Sequence, residues 1–407
     1  MNNFNEKSIL YKVCAKLFRD NSGAGYKAIC QDICSALDLR CCSIWRRENN
    51  GQQRLGYHET AGSALDLTIS NLDFQVNKYI YEQKVPVVIE QSKTDKRFPD
   101  IKSFHVNVQG MPVVNGNSIL GSLIFYYTKG VSKDLLDIQQ SIANELAVGI
   151  DQLKQNYFST VRQQKLRREL ESARNIQQSL LPKKFPKVPG IQIGARTIPT
   201  YEVSGDYYDF VNTDHENLGI VIGDVMGKGV PAAMLMAMVR TVTRSVAKHD
   251  LAPNVVLSEI NSALYDDLAP AGMFLTMFYT LYNPQQKALL YSSAGHNPPA
   301  ILSRKSGKIE FLQCRGVYIG GRAKLAYKLQ TRKLESGDIV VFYTDGLLDA
   351  KNAQGEEFGI ERVAKVLQEY EHCEAAAIVD FLGMKVMQFT GATEQVDDIT
   401  YVLIKAE

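Results

Sequence analysis

The sequence predicts a mixed α/β (α+β) chain of two domains joined by one long helix. Three observations carry this. At 407 residues the chain exceeds one ordinary core. Short runs rich in β-branched and aromatic residues alternate with helical stretches in both halves. Between them, residues 132–181 hold no proline and one glycine, Gly149. The division is 1–131, a helix-flanked antiparallel sheet; 132–181, a helical coiled-coil linker; and 182–407, two packed sheets with helices on the outside.

Composition narrows the class. Hydrophobic residues make up 45% and charged residues 22%, with a net charge of +2. That balance suits a folded, soluble protein and gives no electrostatic pull towards nucleic acid or membrane. No run approaches the roughly 20 apolar residues of a membrane span, and the first residues lack the charged-then-apolar start of a signal peptide. The expectation is a cytoplasmic protein. Seven cysteines are present, five of them (Cys14, Cys30, Cys34, Cys41, Cys42) within the first 42 residues. Their spacing matches no standard zinc pattern and the histidines do not cluster with them, so reduced thiols are expected.

In the first domain, residues 6–40 read as helix, with Ile9, Leu10, Val13 and Leu17, then Ile29, Ile33 and Leu37, at helical spacing. Residues 41–46, 67–69 and 85–89 read as strands and 71–84 as a helix. A polar loop with Pro99 covers 91–103, and 109–114 with 119–127 form a hairpin around Asn115-Gly116. In the linker, Ile138, Ile142, Leu146, Ile150, Leu153, Tyr157 and Val161 step by four or three, and Leu166, Leu170, Ala173, Ile176 and Leu180 resume after a break. About 45 residues at ~1.5 Å each outrun one globular domain, which favours a dimeric coiled coil over an intrachain helical hairpin. Pro182, Pro186 and Pro189 end it.

In the second domain, strands are expected at 191–197, 207–211, 218–222, 274–282, 288–293, 300–303, 339–343 and 399–404. Helices are expected at 231–247, 253–268, 360–370 and 375–389. Asp224 follows the apolar run 218–222, with Gly227 and Gly229 turning the backbone before Pro231; Asp206 follows Gly205; Asp345 ends Val-Val-Phe-Tyr-Thr; Asp397 and Asp398 precede the last strand. Aspartate beside glycine is also an ordinary turn or cap. Repetition of the strand–aspartate pattern argues for convergence of Asp206, Asp224, Asp345 and Asp397 on one edge. Two carboxylates about 5 Å apart repel by roughly 3 kcal/mol at an effective dielectric of 20, so such a set calls for protonation or cations. Oxygen-only donors indicate Mg²⁺ or Mn²⁺, and two such ions would activate water against a phosphoryl group.

The segments 172–182 (Ser-Ala-Arg-Asn-Ile-Gln-Gln-Ser-Leu-Leu-Pro), Ser204-Gly-Asp-Tyr-Tyr-Asp209, Gly223-Asp-Val-Met-Gly-Lys-Gly229, Ser293-Ala-Gly-His-Asn-Pro298, Tyr343-Thr-Asp-Gly346 and Asp397-Asp-Ile-Thr400 occur together in this order. The second domain thereby resembles the bacterial PPM-type serine phosphatases of the SpoIIE/RsbU group, with an α-β-β-α sandwich. The first resembles the GAF sensor domain in its Met-Pro-Val-Val and Gly-Ser-Leu-Ile-Phe-Tyr-Tyr strand pair. The likeness implies that Asp224 bridges two Mn²⁺ or Mg²⁺ ions and the Val225 carbonyl contacts one. It implies that Asp345 and Asp397 hold the other, that Asp206 acts directly or through water, and that Asp398 stands behind them. Asp349 and Ser204 depart from the residues frequent in the group, without touching a proposed ligand.

The expected function is a metal-dependent protein serine/threonine phosphatase in which a metal-activated water attacks phosphoserine. The likeness implies a STAS-domain anti-sigma-factor antagonist as substrate. The sensor domain, taking a small-molecule or protein effector, would regulate through the linker helix, which also makes a homodimer. The rival readings are a catalytically silent signalling scaffold and a small-molecule receptor. His296 reads as an acid catalyst or a hydrogen-bonding peg, Lys228 as a phosphate contact or a solvated lysine, and Met234, Met236 and Met238 as core.

Overall fold

The structure is a computed structural model that describes residues 23–47, 53–60, 67–90, 95–98, 107–128, 133–213, 215 and 217–407. It divides into two compact units, Met1–Lys165 and Leu166–Glu407.

The first unit runs α1 (Gly23–Leu37), β1 (Cys41–Arg47), β2 (Gln53–Thr60), α2 (Leu67–Gln83), β3 (Val87–Ile89), β4 (Asn107–Asn115), β5 (Ser118–Tyr127), and the start of α3 (Lys133–Leu180). The strands form one antiparallel sheet in the order β2-β1-β5-β4-β3. Ile29 and Ile33 of α1 and Ile142 and Leu146 of α3 pack with Leu123 and Phe125 on one face. Leu72, Val76 and Ile80 of α2 pack with Ile124 and Tyr126 on the other. This alternation along β5 is the period of two that a doubly covered strand demands. Under α2, the buried Asp73 accepts hydrogen bonds from Ser43 Oγ (2.6 Å), Trp45 Nε1 (2.7 Å) and Tyr126 OH (2.6 Å), tying helix to sheet.

Sequence and structure differ here in three places. Residues 67–69, expected as a strand, begin α2, because they continue the helical stripe of Leu72, Val76 and Ile80. The strand expected from 85 begins at Val87, after Pro86, which has no N–H to offer a ladder. The edge strand β2 was not foreseen. The helix expected over 6–22 and the loop around Pro99 lie outside the described residues.

α3 is one continuous helix of 48 residues, which rules out the intrachain hairpin over that stretch. Between its packed ends it carries exposed apolar side chains, among them Tyr157, Phe158, Val161 and Leu166.

In the second unit the elements are β6 (Ile191–Ile198), β7 (Asp206–Asn212), β8 (Leu218–Val225), α4 (Val230–Ala247), α5 (Pro253–Leu268), β9 (Leu275–Asn283), β10 (Ala288–Ala294), β11 (Ala300–Leu302), β12 (Ile309–Phe311), β13 (Gln330–Lys333), β14 (Ile339–Tyr343), α6 (Asp345–Asp349), α7 (Gly359–Glu369), α8 (Ala375–Thr390) and β15 (Ile399–Ala406). Two antiparallel sheets result, β13-β10-β9-β8-β7 and β12-β11-β14-β15-β6. Their inner faces meet through Phe210, Ile220, Phe278, Val340, Phe342 and Val402. α4 and α5 cover the outer face of the first sheet through Met236, Val239, Leu257 and Ile260. α7 and α8 cover the second through Val363, Leu367, Ile378 and Leu382. The result is the α-β-β-α sandwich expected. Met236 is buried, whereas Met234 is 70% exposed, because helical neighbours two apart cannot face one way. The short strands β12 and β13 and the helix α6 escaped the sequence reading.

Phe278 sits mid-sandwich, stacked on Tyr291 at 5.5 Å and edge-on to Phe342 at 6.1 Å. Phe278→Ala is expected to destabilise the second unit by about 3–5 kcal/mol, while Met234→Ala changes stability by less than about 0.5 kcal/mol. Denaturant unfolding of the two variants checks the contrast.

Candidate active site

The expected carboxylates gather where the two sheets end on the same side. β7 and β8 are antiparallel neighbours in register Asp206↔Asp224, so both aspartates start from paired strands. The strand expected over 218–222 continues to Val225, with Asp224 also opposite Thr276 of β9. The chain then leaves through Gly227 and Gly229, at φ of 93° and 70°, conformations that a Cβ disfavours. From the other sheet, β14 delivers Thr344 and Asp345, the latter opening α6, and β15 begins just after Asp397 and Asp398.

Close backbone approach is built in at two glycines. A Cβ on Gly346 would meet the Asp398 carbonyl at 2.1 Å, and one on Gly205 the Val225 carbonyl at 2.9 Å. The first closeness brings Asp345 beside Asp397; the second sets the Val225 carbonyl against the turn that leads into Asp206.

Asp206 is buried, and its Oδ2 accepts from Thr344 Oγ1 at 2.9 Å. Asp398 is buried too, but its carboxylate is spent on the loop before β7. It accepts from Thr200 N at 2.7 Å, Ser204 Oγ at 2.7 Å and Gly205 N at 3.0 Å. Ser204 Oγ in turn accepts from Asp206 N at 3.0 Å. Gln177, in the last turns of α3, brackets Ser204 by accepting from its N–H (2.9 Å) and donating to its carbonyl (2.8 Å). Asp397 is half-exposed and 3.0 Å from Lys228 Nζ, which also donates to the Val396 carbonyl.

The electrostatics follow from this crowding. Burial, then the charge of Asp224, raises Asp206 well above the usual carboxylate range. Burial, then Asp345, Asp397 and Asp398, pushes Asp224 up to about 7 despite Lys228. Partial burial and Asp397 raise Asp345. Among the described residues, no three His, Cys, Asp or Glu side chains are grouped so as to hold a metal ion as they stand. The donor chemistry nevertheless fits a hard cation: oxygen ligands, several carboxylates, and one ammonium against them. Positive charge is what this edge lacks.

His296 is a peg. Nε2 donates to the Tyr343 carbonyl at 3.1 Å, leaving Nδ1 to accept from Thr276 Oγ1 at 2.7 Å. The ring thus ties β9 of one sheet to β14 of the other, directly below the aspartates. Burial lowers its pKa to about 4. Gln177, Thr344 and Thr276 had no assigned role in the sequence reading; the first two stand inside segments that it singled out, and Thr276 carried no signal.

Residues 214–407 match the family Stage II sporulation protein E (SpoIIE), and residues 24–150 match the GAF domain. Phosphoserine phosphatase RsbU of Bacillus subtilis is 37% identical over 193 residues, 47% of this chain and 57% of RsbU. Protein IcfG of Synechocystis is 25% identical over 422 residues, covering 96% of this chain and 63% of IcfG. The chain thus spans less than two thirds of either relative. The SiaA-PP2C domain of Pseudomonas aeruginosa superposes with a TM-score of 0.54 at 21% identity, covering 60% of this chain and 99% of that domain, which shows a shared fold.

Two opposite pH effects are expected in the metal-free chain. His296, at about 4 folded against about 6.5 unfolded, stabilises fully above pH ~6.5, and this is lost as pH falls towards 4, by about 3 kcal/mol. His296→Gln should flatten that part of the stability–pH curve measured by urea unfolding. Asp224, raised when folded, does the reverse: its favourable contribution is present below pH ~4 and is lost as pH rises to 7. Asp224→Asn is therefore expected to stabilise the metal-free chain at pH 8 by about 1–3 kcal/mol. Fold and family matches agree: residues 214–407 carry a SpoIIE-type PPM phosphatase domain, preceded by a GAF domain at residues 24–150.

Proposed function

We propose that residues 182–407 are a metal-dependent protein serine/threonine phosphatase domain that hydrolyses phosphoserine without a covalent enzyme intermediate. The observation that carries this is the meeting of Asp206, Asp224, Asp345 and Asp397 at one sheet edge, where burial and neighbouring carboxylates raise Asp206, Asp224 and Asp345. Two Mn²⁺ or Mg²⁺ ions held by Asp224, the Val225 carbonyl, Asp345, Asp397 and Asp206 would supply an acidified water and screen the phosphoryl charge. The chain's own residues do the positioning. Thr344 fixes the Asp206 carboxylate. Asp398 orients the 200–205 loop, so its part is to support the ligands. Lys228 places an ammonium at the rim beside Asp397, where phosphoryl oxygens would arrive.

The substrate class follows from the kinship to RsbU, whose name is phosphoserine phosphatase. A serine-phosphorylated STAS-domain protein of the anti-sigma-factor antagonist type is proposed. Residues 1–131 would be the sensor, taking a small-molecule or protein effector, and 132–181 the transmitting helix. The exposed Tyr157, Val161, Leu166 and Ile176 on that helix support a homodimeric coiled coil. Among the described residues no helix is long and apolar enough to cross a membrane, in line with a proposed cytoplasmic site of action.

Phosphate release from a phosphoserine STAS protein with Mn²⁺ tests the reading. Asp224→Asn is expected to lower turnover at least ~10²-fold, and chelation of divalent metal to abolish it. Undiminished release after complete metal removal would refute the proposal.

A further inference from the structure

A cavity of about 360 Å³ opens beside the carboxylate edge, between α8, the turn after α6 and the approach to β15. Its floor is apolar: Val386 and Ile399 are almost fully buried, with Ile198 beside them. Met387 and Val396, at 57% and 67% exposure, stand at its lip with their apolar surface uncovered. The rim is acidic, with Asp349, Glu394 and Asp397 against Lys351.

Two features bear on its occupant. The acidic rim repels phosphate, so the phosphoryl group is not what enters. The volume is at the low end of small-molecule pockets, ~300–1,000 Å³, which suits one or two side chains. The cavity is also continuous with the carboxylate edge. Gly346 and Asp397 line it, and a Cβ on Gly346 would lie 3.3 Å from Asp397 Cβ, while Asp345 precedes Gly346 in the chain. An extended peptide advances about 3.3–3.6 Å per residue. A segment with its phosphoserine at the carboxylates therefore brings a side chain one to three residues away over the cavity mouth.

We propose that this cavity is a specificity subsite that receives an apolar side chain of the phosphoprotein substrate, one to three residues from the phosphoserine. The proposal rests on the phosphatase reading for what sits at the carboxylates. The occupant is a leucine-like side chain: its burial covers Met387 and Val396, and a neutral or basic neighbour suits the rim where an acidic one does not.

The test uses the full chain and fluorescently labelled alanine-based phosphoserine peptides, with leucine placed in turn at each of the three positions on either side. Binding is read by fluorescence polarisation with Mn²⁺ present, each phosphoserine being replaced by its non-hydrolysable phosphonate analogue so that peptides are not consumed. One leucine position is expected to bind about tenfold tighter than the all-alanine peptide, the scale of an apolar pocket's discrimination. Aspartate at that position should remove the gain. Thr390→Phe, which fills the cavity, and Met387→Glu, which charges its lip, should each abolish the leucine preference while still binding the all-alanine peptide. A wild type with no leucine preference, or a preference that survives Thr390→Phe, overturns the subsite. Turnover of p-nitrophenyl phosphate by the Mn²⁺-loaded wild type is read separately. Its failure would count against the phosphatase reading and leave the leucine preference measurable.

Discussion

Like charge confined at the seam of two sheets governs the second unit. Antiparallel pairing fixes Asp206 opposite Asp224, and the packing of the sheets brings Asp345 and Asp397 against them. Asp206, Asp224 and Asp345 are harder to ionise for their burial and their neighbours' presence, and Lys228 offsets only part of the charge. A fold that holds such a set gives up stability at this edge.

The supporting side chains make sense in that light. Asp398, Thr344, His296 and Gln177 each fix backbone or a carboxylate belonging to the edge, and each is itself buried. His296 joins the two sheets below the aspartates, so the separation of Asp224 and Asp345 depends on a neutral imidazole. Gln177 anchors the end of the long helix to the loop that leads into Asp206. Arg240 of α4 adds a second tie, donating to the Leu180 carbonyl at 2.6 Å. The helix end is thus tied both to the loop before Asp206 and to α4.

Much of this was legible in the residues. The helices 231–247, 253–268, 360–370 and 375–389 have clear apolar stripes and lie within one or two residues of their expected bounds. The aspartates were visible because each follows or precedes an apolar strand. What was hidden is non-local. Nothing local says that Asp206 faces Asp224, or that Thr276 meets His296, since strand register is set by the whole sheet. The missed strands at 309–311 and 330–333 are short edge strands, and 330–333 is polar throughout, so neither presents a buried face to read. Residues 67–69 misled because three apolar-rich positions cannot separate strand from helix.

The central claim is that this carboxylate edge is a divalent-cation site. Thermal unfolding of the second unit with and without Mn²⁺ addresses it most directly, because a ligand bound only to the folded state raises its stability. The account predicts a midpoint that rises with Mn²⁺ concentration in the wild type and no longer does so in an Asp224→Asn, Asp345→Asn double variant. An equal rise in both chains, or none in the wild type, would contradict it.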